Sequence, residues 1–503
     1  MSNVRRNPRA QAPAEMNVEV TRHVGGPLFV QLREQIQVLV ARGALAPGDR
    51  LPPVRALAAQ LNVNQITVAR AYSELSDLGV VEGRRGGGTF VCERAVVVAK
   101  KLPDQNVEGA FRPLLADRLF ELSRAPGVIA FTSNYPFVGT DMIEEFRACV
   151  RLAAGRDFEN CFHYEPPLGR LSARQEISRY LDSRGMDVDP EKIVVTSGAQ
   201  QAIDLAVRSV VRPGTPVIVE RPAYYGALNA LRGAGAEILE APLDSDGIDL
   251  QSVEAHLVKR QARLIYVNPT FQNPTGQTMS ETKRRDLLAL ARRFDAVILE
   301  DDHSSDWRFA GRPVPAIAAL AGPEHRVFYA YSFGKTLLPG QRFGFLVVPP
   351  SLRRIVLNQK AALDLHGPSF LQEALAHFLL RGNHEVFFEG ARTSYGERQK
   401  NLRQRLLAQM PVGTKVSAPD GGLSFWITLP EGAEVSELYF RAVRRGVAFV
   451  PGEAFFATKP DIEALRVSFG LVPETEISEG IDRLCAVVGD LLTPRRERSV
   501  ILT

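Results

Sequence analysis

The chain is short of cysteine, of long apolar runs and of early lysine, and each shortage removes a class of protein. Only four cysteines (Cys92, Cys149, Cys161 and Cys485) occur among 503 residues, far apart and with no C-x-x-C pair. Such a set supports neither a disulfide framework nor a zinc site, and reduced cytoplasmic thiols fit it better. No apolar stretch approaches the ~20 residues that a membrane-spanning helix needs. The Arg-rich start also lacks the apolar segment of a secretory signal. The sequence therefore predicts a cytoplasmic chain without a membrane anchor. Hydrophobic residues make up 45% and charged residues 23%, which excludes disordered, collagen-like and coiled-coil chains. At ~150 residues per domain the length implies two or three domains.

Lysine is absent before Lys100. Residues 1–95 hold 12 arginines against 8 acids, and the remainder balances at 49 basic and 49 acidic residues. The whole net charge of +4 thus lies in the first fifth, which points that end toward nucleic acid.

Residues 1–26 read as a flexible basic arm carrying Arg5, Arg6 and Arg9. From Leu28 the apolar residues Leu32, Ile36, Leu39 and Val40 repeat at helical spacing, and Gly43 and Pro47-Gly48 end the run. A second short helix carries Leu57, Ala58 and Leu61. Asn64 is placed to cap a third, whose Val68, Ala71, Tyr72, Leu75 and Leu78 share a face, with Gly79 as its stop. Val80-Val81, the turn around Gly83 to Gly88, and Thr89-Phe90-Val91 read as a hairpin. Three helices and a basic-tipped hairpin describe a winged helix-turn-helix. Asn64, Gln65, Thr67 and Arg70 then face a DNA groove, and Arg84 and Arg85 reach phosphates or the minor groove. A small helical protein-interaction module is the alternative that the pattern leaves open.

The run from Gly43 to Ala58, followed by Val63-Asn-Gln-Ile-Thr-Val68, Ala71-Tyr72 and Gly88-Thr-Phe-Val91, resembles the DNA-binding domain of GntR-type regulators. The resemblance spans residues 27–92 and implies that Arg55, the start of the third helix and the wing touch double-stranded DNA. Two departures stand out. Pro53 replaces the usual Ser, and Asn64-Gln65 replace Ser-Arg, so a positive charge is lost at Gln65. Residues 93–126, with Lys100-Lys101, Pro103, Pro113 and Pro126, read as a linker with a short helix around Leu114 to Leu122.

From about Gly127 short apolar runs alternate with amphipathic stretches: Ile193–Val195, Val217–Val219, Leu264–Val267, Val297–Leu299 and Val327–Tyr329. That alternation predicts a buried, mostly parallel sheet flanked by helices, with ligands at the carboxyl ends of its strands. The segments after these runs are Thr196-Ser-Gly-Ala-Gln-Gln201, Asn268 to Gly276, Glu300-Asp-Asp302 and Tyr331-Ser-Phe-Gly-Lys335, with Arg342 beyond. Alone, a lysine there is a solvated side chain and an aspartate a helix cap. Together they describe a phosphate cradle at a helix start, an acid and an amine.

This set resembles the fold-type I pyridoxal-phosphate aminotransferases, especially the alpha-aminoadipate/kynurenine branch, over residues 127–503. The resemblance implies that Lys335 holds pyridoxal 5'-phosphate as an internal aldimine, and that Asp301 pairs with its ring nitrogen. It implies that Asn273 bonds the ring hydroxyl and Tyr224 stacks on the ring. Gly198, Ala199, Gln200, Ser332 and Arg342 would hold the phosphate, joined by Tyr164 from a neighbouring subunit. Arg466, in Leu465-Arg-Val-Ser-Phe-Gly470, would clamp a ligand carboxylate. Fused regulators of this kind usually read Glu-Asp-Asp-Tyr-Asp-Ser-Glu-Phe where this chain reads Glu300-Asp-Asp-His303-Ser-Ser-Asp-Trp307. His303 thus replaces the tyrosine that helps bind the ring hydroxyl, and is expected to titrate near neutrality.

A GntR-type domain joined to an aminotransferase-like domain is the arrangement of MocR/GabR-type transcriptional regulators. The resemblance implies a homodimer that senses a small amino compound when it displaces Lys335 to form an external aldimine. The second reading is a working aminotransferase with an appended DNA-binding domain. The third is a regulator with a relic pocket.

Overall fold

The computed structural model describes residues 18, 20, 28–41, 45–77, 80–84, 88–92, 123, 127–156, 158–322, 326–336, 339–433 and 435–492. Nearly all of the predicted arm and linker, the helix expected around Leu114 to Leu122, and Arg85 lie outside them. The chain divides into two compact units, residues 1–126 and 127–503.

In the first unit, helices α1 (Leu28–Ala41), α2 (Val54–Leu61) and α3 (Gln65–Asp77) precede a hairpin of β1 (Val81–Arg84) and β2 (Gly88–Val91). The hairpin pairs antiparallel, with Val81 opposite Val91. Helix α2 ends because Asn62 takes up a left-handed conformation. Helix α3 begins because the Asn64 side chain accepts from the Ile66 amide at 3.0 Å. Pro53 stands at the start of α2 and supplies no side-chain cap, so that helix lacks the bond a serine would offer. Leu32, Ile36, Leu57, Val68, Ala71, Leu75 and Val91 close the core. Val18, assigned by the sequence pattern to the arm, is 3% exposed and packs into the same core. The packed unit therefore reaches back beyond residue 27.

The second unit opens with a two-residue strand, β3 (Ile129–Ala130), and is built on an eight-stranded sheet. Its strands are β4 (Ile193–Thr196), β5 (Pro216–Arg221), β6 (Glu237–Asp244), β7 (Gly247–Ile248), β8 (Leu264–Val267), β9 (Val297–Asp302), β10 (Val327–Ser332) and β11 (Gly344–Val347), in the order β4-β11-β10-β9-β8-β5-β6-β7. The run from β10 through β9, β8 and β5 to β6 is parallel, whereas β11 is antiparallel to both of its neighbours. All residues of β4, β8, β9, β10 and β11 are buried, as strands of a sheet covered on both faces require. The five predicted runs are five of these strands. A smaller sheet joins Lys415–Val416, Ser424–Thr428, Ala464–Ser468 and Val450–Pro451 in that order, and Ile129–Ala130 pairs parallel with Val447–Ala448. No helix among the described residues is long and apolar enough to cross a membrane, and they hold no His/Cys/Asp/Glu cluster fit for a metal.

Candidate functional site

Neighbouring strands bring the predicted acid and amine to one end of the sheet. In the β9–β10 ladder Asp301 lies opposite Ala330, and a short 3-10 turn, Phe333–Lys335, continues directly from β10 to Lys335. The turn is fixed by Ser332, whose hydroxyl accepts from the Gly334 amide at 3.1 Å. The indole of Trp307 donates to the Lys335 carbonyl at 2.6 Å. Burial, with the Arg466 guanidinium adding to it, pushes the Lys335 amine down to about 7.

Asp301 is 2% exposed. One carboxylate oxygen accepts from the Tyr266 hydroxyl at 2.7 Å, and the other, Oδ1, has no partner among the described residues. Burial pushes its carboxyl up to about 6. An unpaired buried oxygen carries a free-energy penalty that a bound donor removes. That oxygen is the fit test for pyridoxal phosphate, because a protonated ring nitrogen is such a donor.

The cradle sits between β4 and the helix Ala199–Val210. Gly198 holds φ +83°, and a Cβ there would stand 2.9 Å from the guanidinium of Arg342. Gly344 is needed for a different reason, since a Cβ on it would come within 2.7 Å of the Gly198 backbone. The loop thus stays bare, with the helix N-terminus behind it and Arg342 donating to the Ser197 carbonyl at 3.1 Å. Gln200 donates to the Gly226 carbonyl at 2.8 Å and accepts from the Tyr224 hydroxyl at 3.4 Å. Tyr224 is thereby tied to the cradle.

Arg466 is 2% exposed. It donates to Asn273 Oδ1 at 2.9 Å and to the Thr132 carbonyl at 3.0 Å, and its Nε has no partner among the described residues. Tyr164, by contrast, is 86% exposed, with its ring 5.8 Å from that of His366.

His303 corrects one expectation. It does not titrate near neutrality: burial, and then the cationic Lys335 and Arg466, hold it well below the usual histidine range. Its two ring nitrogens face Asn268 Nδ2 and Ser304 Oγ, each at 3.0 Å.

Several supporting residues were not singled out by sequence. Glu220, pushed up to about 8 by burial, accepts from the Asn268 backbone N–H and from Gln272 Nε2, both at 3.1 Å. Tyr266 and Trp307 belong with them. Their only signal was a polar-tipped aromatic beside a strand end.

On the first unit, Arg55, Asn64 and Gln65 are exposed and Thr67 is half-buried. Arg55 pairs with no described side chain. Arg70 is engaged instead, 3.7 Å over the Phe29 ring and 3.3 Å from Glu74. Arg84 likewise pairs with Glu82 at 2.8 Å. Ile66, missed by sequence, is 73% exposed at the start of α3, where an apolar group suits a thymine methyl.

A parallel sheet with a lysine past one strand, an aspartate ending the next and a glycine cradle defines an aminotransferase-type domain of the pyridoxal-phosphate class. Residues 127–484 match the model of class I and II aminotransferases, and residues 28–91 match that of bacterial regulatory proteins of the gntR family. The chain belongs to the MocR-type regulators, in which these two domains are joined. It is 33% identical over 472 residues to the probable rhizopine catabolism regulatory protein MocR of Rhizobium meliloti, covering 91% of this chain and 93% of that one. It is 30% identical over 479 residues to the regulator TauR of Rhodobacter capsulatus, covering 91% and 96%. Among solved structures it is similar to the kynurenine aminotransferase of Pyrococcus horikoshii, determined with PMP, at a TM-score of 0.70 and 31% identity, covering 78% and 96%. The class I and II aminotransferase relatives are pyridoxal-phosphate-dependent.

Proposed function

We propose that this DNA-binding regulator holds pyridoxal 5'-phosphate at Lys335 and uses it to sense a small amino compound. The observation that carries the reading is the unpartnered Asp301 oxygen, set beside a buried amine whose affinity for protons is reduced. When bound, the cofactor supplies an electrophilic carbon and an electron-withdrawing ring.

The protein's own groups would do the rest. Asp301 holds the ring nitrogen protonated. Gly198, Ala199, Gln200, Ser332 and Arg342 hold the phosphate, and Tyr224 covers the ring. Asn273 spends its amide oxygen on Arg466, which turns its NH2 group toward the ring hydroxyl. His303 lines that side of the site, with both of its ring nitrogens already engaged by Asn268 and Ser304. Arg466 meets an acidic group on the ligand through a fork of parallel N–H bonds. Lys335 accepts and returns the proton as the incoming amine takes its place.

The homodimer belongs to the same proposal. Phe158 and Phe162 are 45% and 73% exposed and pack edge to face at 5.0 Å, beside the exposed Tyr164. A second copy would cover this apolar surface and bring Tyr164 to the neighbouring phosphate.

For a sensor, the amine must bind one conformation better than the other and so shift how the DNA-binding units are presented. Only the neutral lysine bonds the cofactor. With its folded value lowered to about 7, the rate at which visible colour develops on mixing with pyridoxal phosphate is expected to rise through about pH 7 and to fall below it. A stopped-flow pH series checks this, and an inflection near the ordinary lysine value would refute it.

Arg55, Asn64, Gln65, Thr67, Arg70, Arg84 and Arg85 are the proposed DNA contacts. The unpaired Arg55 is the strongest of them. Arg55→Ala should weaken promoter binding roughly tenfold and reduce the salt slope by about one, with the cofactor spectrum intact. Anisotropy titrations at several salt concentrations measure both effects.

A further inference from the structure

The residues around His303 form a hydrogen-bond chain whose direction can be worked out without seeing a hydrogen atom. Asn268 is fully buried, and its amide has two partners of fixed character. Its oxygen accepts from the Asn273 backbone N–H at 2.6 Å, and its nitrogen donates to the Asp301 carbonyl. A backbone N–H only donates and a carbonyl only accepts, so the Asn268 amide cannot be flipped. The same nitrogen lies 3.0 Å from His303 Nδ1 and offers it a second hydrogen. Nδ1 must therefore be the bare, accepting nitrogen. In a neutral ring the proton is then on Nε2, which faces Ser304 Oγ at 3.0 Å.

The other end of the chain is equally constrained. A guanidinium only donates, so Arg466 donates to Asn273 Oδ1 at 2.9 Å. The ordered chain runs from the Asn273 backbone N–H through Asn268 and His303 to Ser304, every bond in the same direction, and Arg466 joins it through the Asn273 side chain. All five residues are at most 6% exposed. Head-to-tail bonds in such a dry setting polarise one another.

The charged groups acting on the imidazole oppose a second proton. Lys335 stands just past β10 and Arg466 on the strand Ala464–Ser468. Of the nearby carboxylates, Asp302 accepts from the Tyr329 hydroxyl and one oxygen of Asp301 accepts from the Tyr266 hydroxyl, both at 2.7 Å. Glu220, on β5, reaches the ring only through Asn268.

We propose that His303 is a positioning residue for Arg466, locked as the Nε2–H tautomer so that Asn268 fixes the Asn273 backbone and, with it, the side-chain oxygen that accepts from the guanidinium. The proposal rests on the reading that Arg466 meets the ligand's acidic group. It also accounts for the departure from the usual tyrosine. A tyrosine ring has no acceptor next to its Cγ and could not take the Asn268 hydrogen that Nδ1 takes.

The test labels the full chain with 15N-histidine and 15N-arginine and records it with and without pyridoxal phosphate, from about pH 5.5 to about 8.5. His303→Gln assigns the histidine signal. The expected spectrum shows one protonated and one bare ring nitrogen, unmoved across the range. A midpoint near the ordinary histidine value, or a protonated Nδ1, overturns the proposal. The Arg466 Nε signal, assigned by Arg466→Lys, should shift in His303→Leu and return in His303→Asn, which restores an acceptor near the Nδ1 position. An Arg466 signal identical in wild type and His303→Leu also overturns it. If His303→Gln or His303→Leu fails to fold, His303→Asn assigns the histidine signal and the wild-type tautomer still decides. Failure of the protein to colour with pyridoxal phosphate would sink the cofactor reading and leave this result standing.

Discussion

Lys335→Ala should abolish the visible absorbance of the pyridoxal phosphate-loaded protein and every spectral response to amines. The effect is total because no other amine among the described residues stands in the same relation to Asp301. Lys335 extends from the turn that follows β10, while Asp301 stands one residue before the end of β9, the neighbouring strand. The Trp307 bond to the Lys335 carbonyl is a backbone contact and survives the change, so the turn should stay in place. Phosphate binding at the cradle should persist in weakened form, since Gly198 and Arg342 are untouched. Absorbance spectra of the dialysed variant, with a thermal melt to confirm folding, provide the check. Retained colour after dialysis would move the covalent site elsewhere.

Asp301→Asn should lower the affinity for pyridoxal phosphate by roughly 10- to 150-fold, the range of about 1.5–3 kcal/mol for a hydrogen bond involving a charged group. An asparagine keeps an oxygen for the Tyr266 hydroxyl, now at 2.7 Å, but can place only an NH2 or a neutral oxygen where the unpartnered Oδ1 stands. Either loses the ionic partner of the ring nitrogen. With the aspartate pushed up to about 6 by burial, wild-type affinity should fall as pH drops through that value, as the carboxylate takes up its proton. The asparagine variant should lack that component. Equilibrium titration of the cofactor-free proteins at two pH values separates the cases.

The readable parts of the chain were those whose physics is local. Strands β4, β5, β8, β9 and β10 showed themselves as short apolar runs because a parallel strand covered on both faces needs nothing else. Strand β6 did not, since Glu237, Glu240 and Asp244 interrupt it near the sheet margin, where it is only partly buried. Strand β11 is four residues long and opens on Gly344, which sequence reads as a break and the structure uses to let two backbones touch. Lys335, Asp301 and the cradle were legible as segments following strands. Glu220, Tyr266 and Trp307 were not, because their partners lie 28 to 52 residues away in the chain. The same limit explains His303. Its identity was visible as a departure, but its fixed protonation depends on a buried amide and on two cations, one on the turn after β10 and one on the strand Ala464–Ser468.

In the DNA-binding unit, helical periodicity and the Asn64 cap were sufficient for α1, α2 and α3. Side-chain commitment was the missing information. Arg70 and Arg84 read as free cations in sequence, yet Phe29, Glu74 and Glu82 engage them. Only Arg55 among the described candidate arginines remains unpaired, which concentrates the DNA prediction on it.

The central claim is that the amine site and the DNA-binding unit are coupled. It is tested most directly by following the visible spectrum and the anisotropy of fluorescent promoter DNA in one cuvette, while α- and ω-amino acids are added singly to the pyridoxal phosphate-loaded protein. The account predicts that at least one amine shifts both signals at the same concentration in wild type, and neither in Lys335→Ala. Spectral change with sustained transamination of an added oxo acid and unaltered DNA binding would contradict it, as would a DNA response that survives in Lys335→Ala.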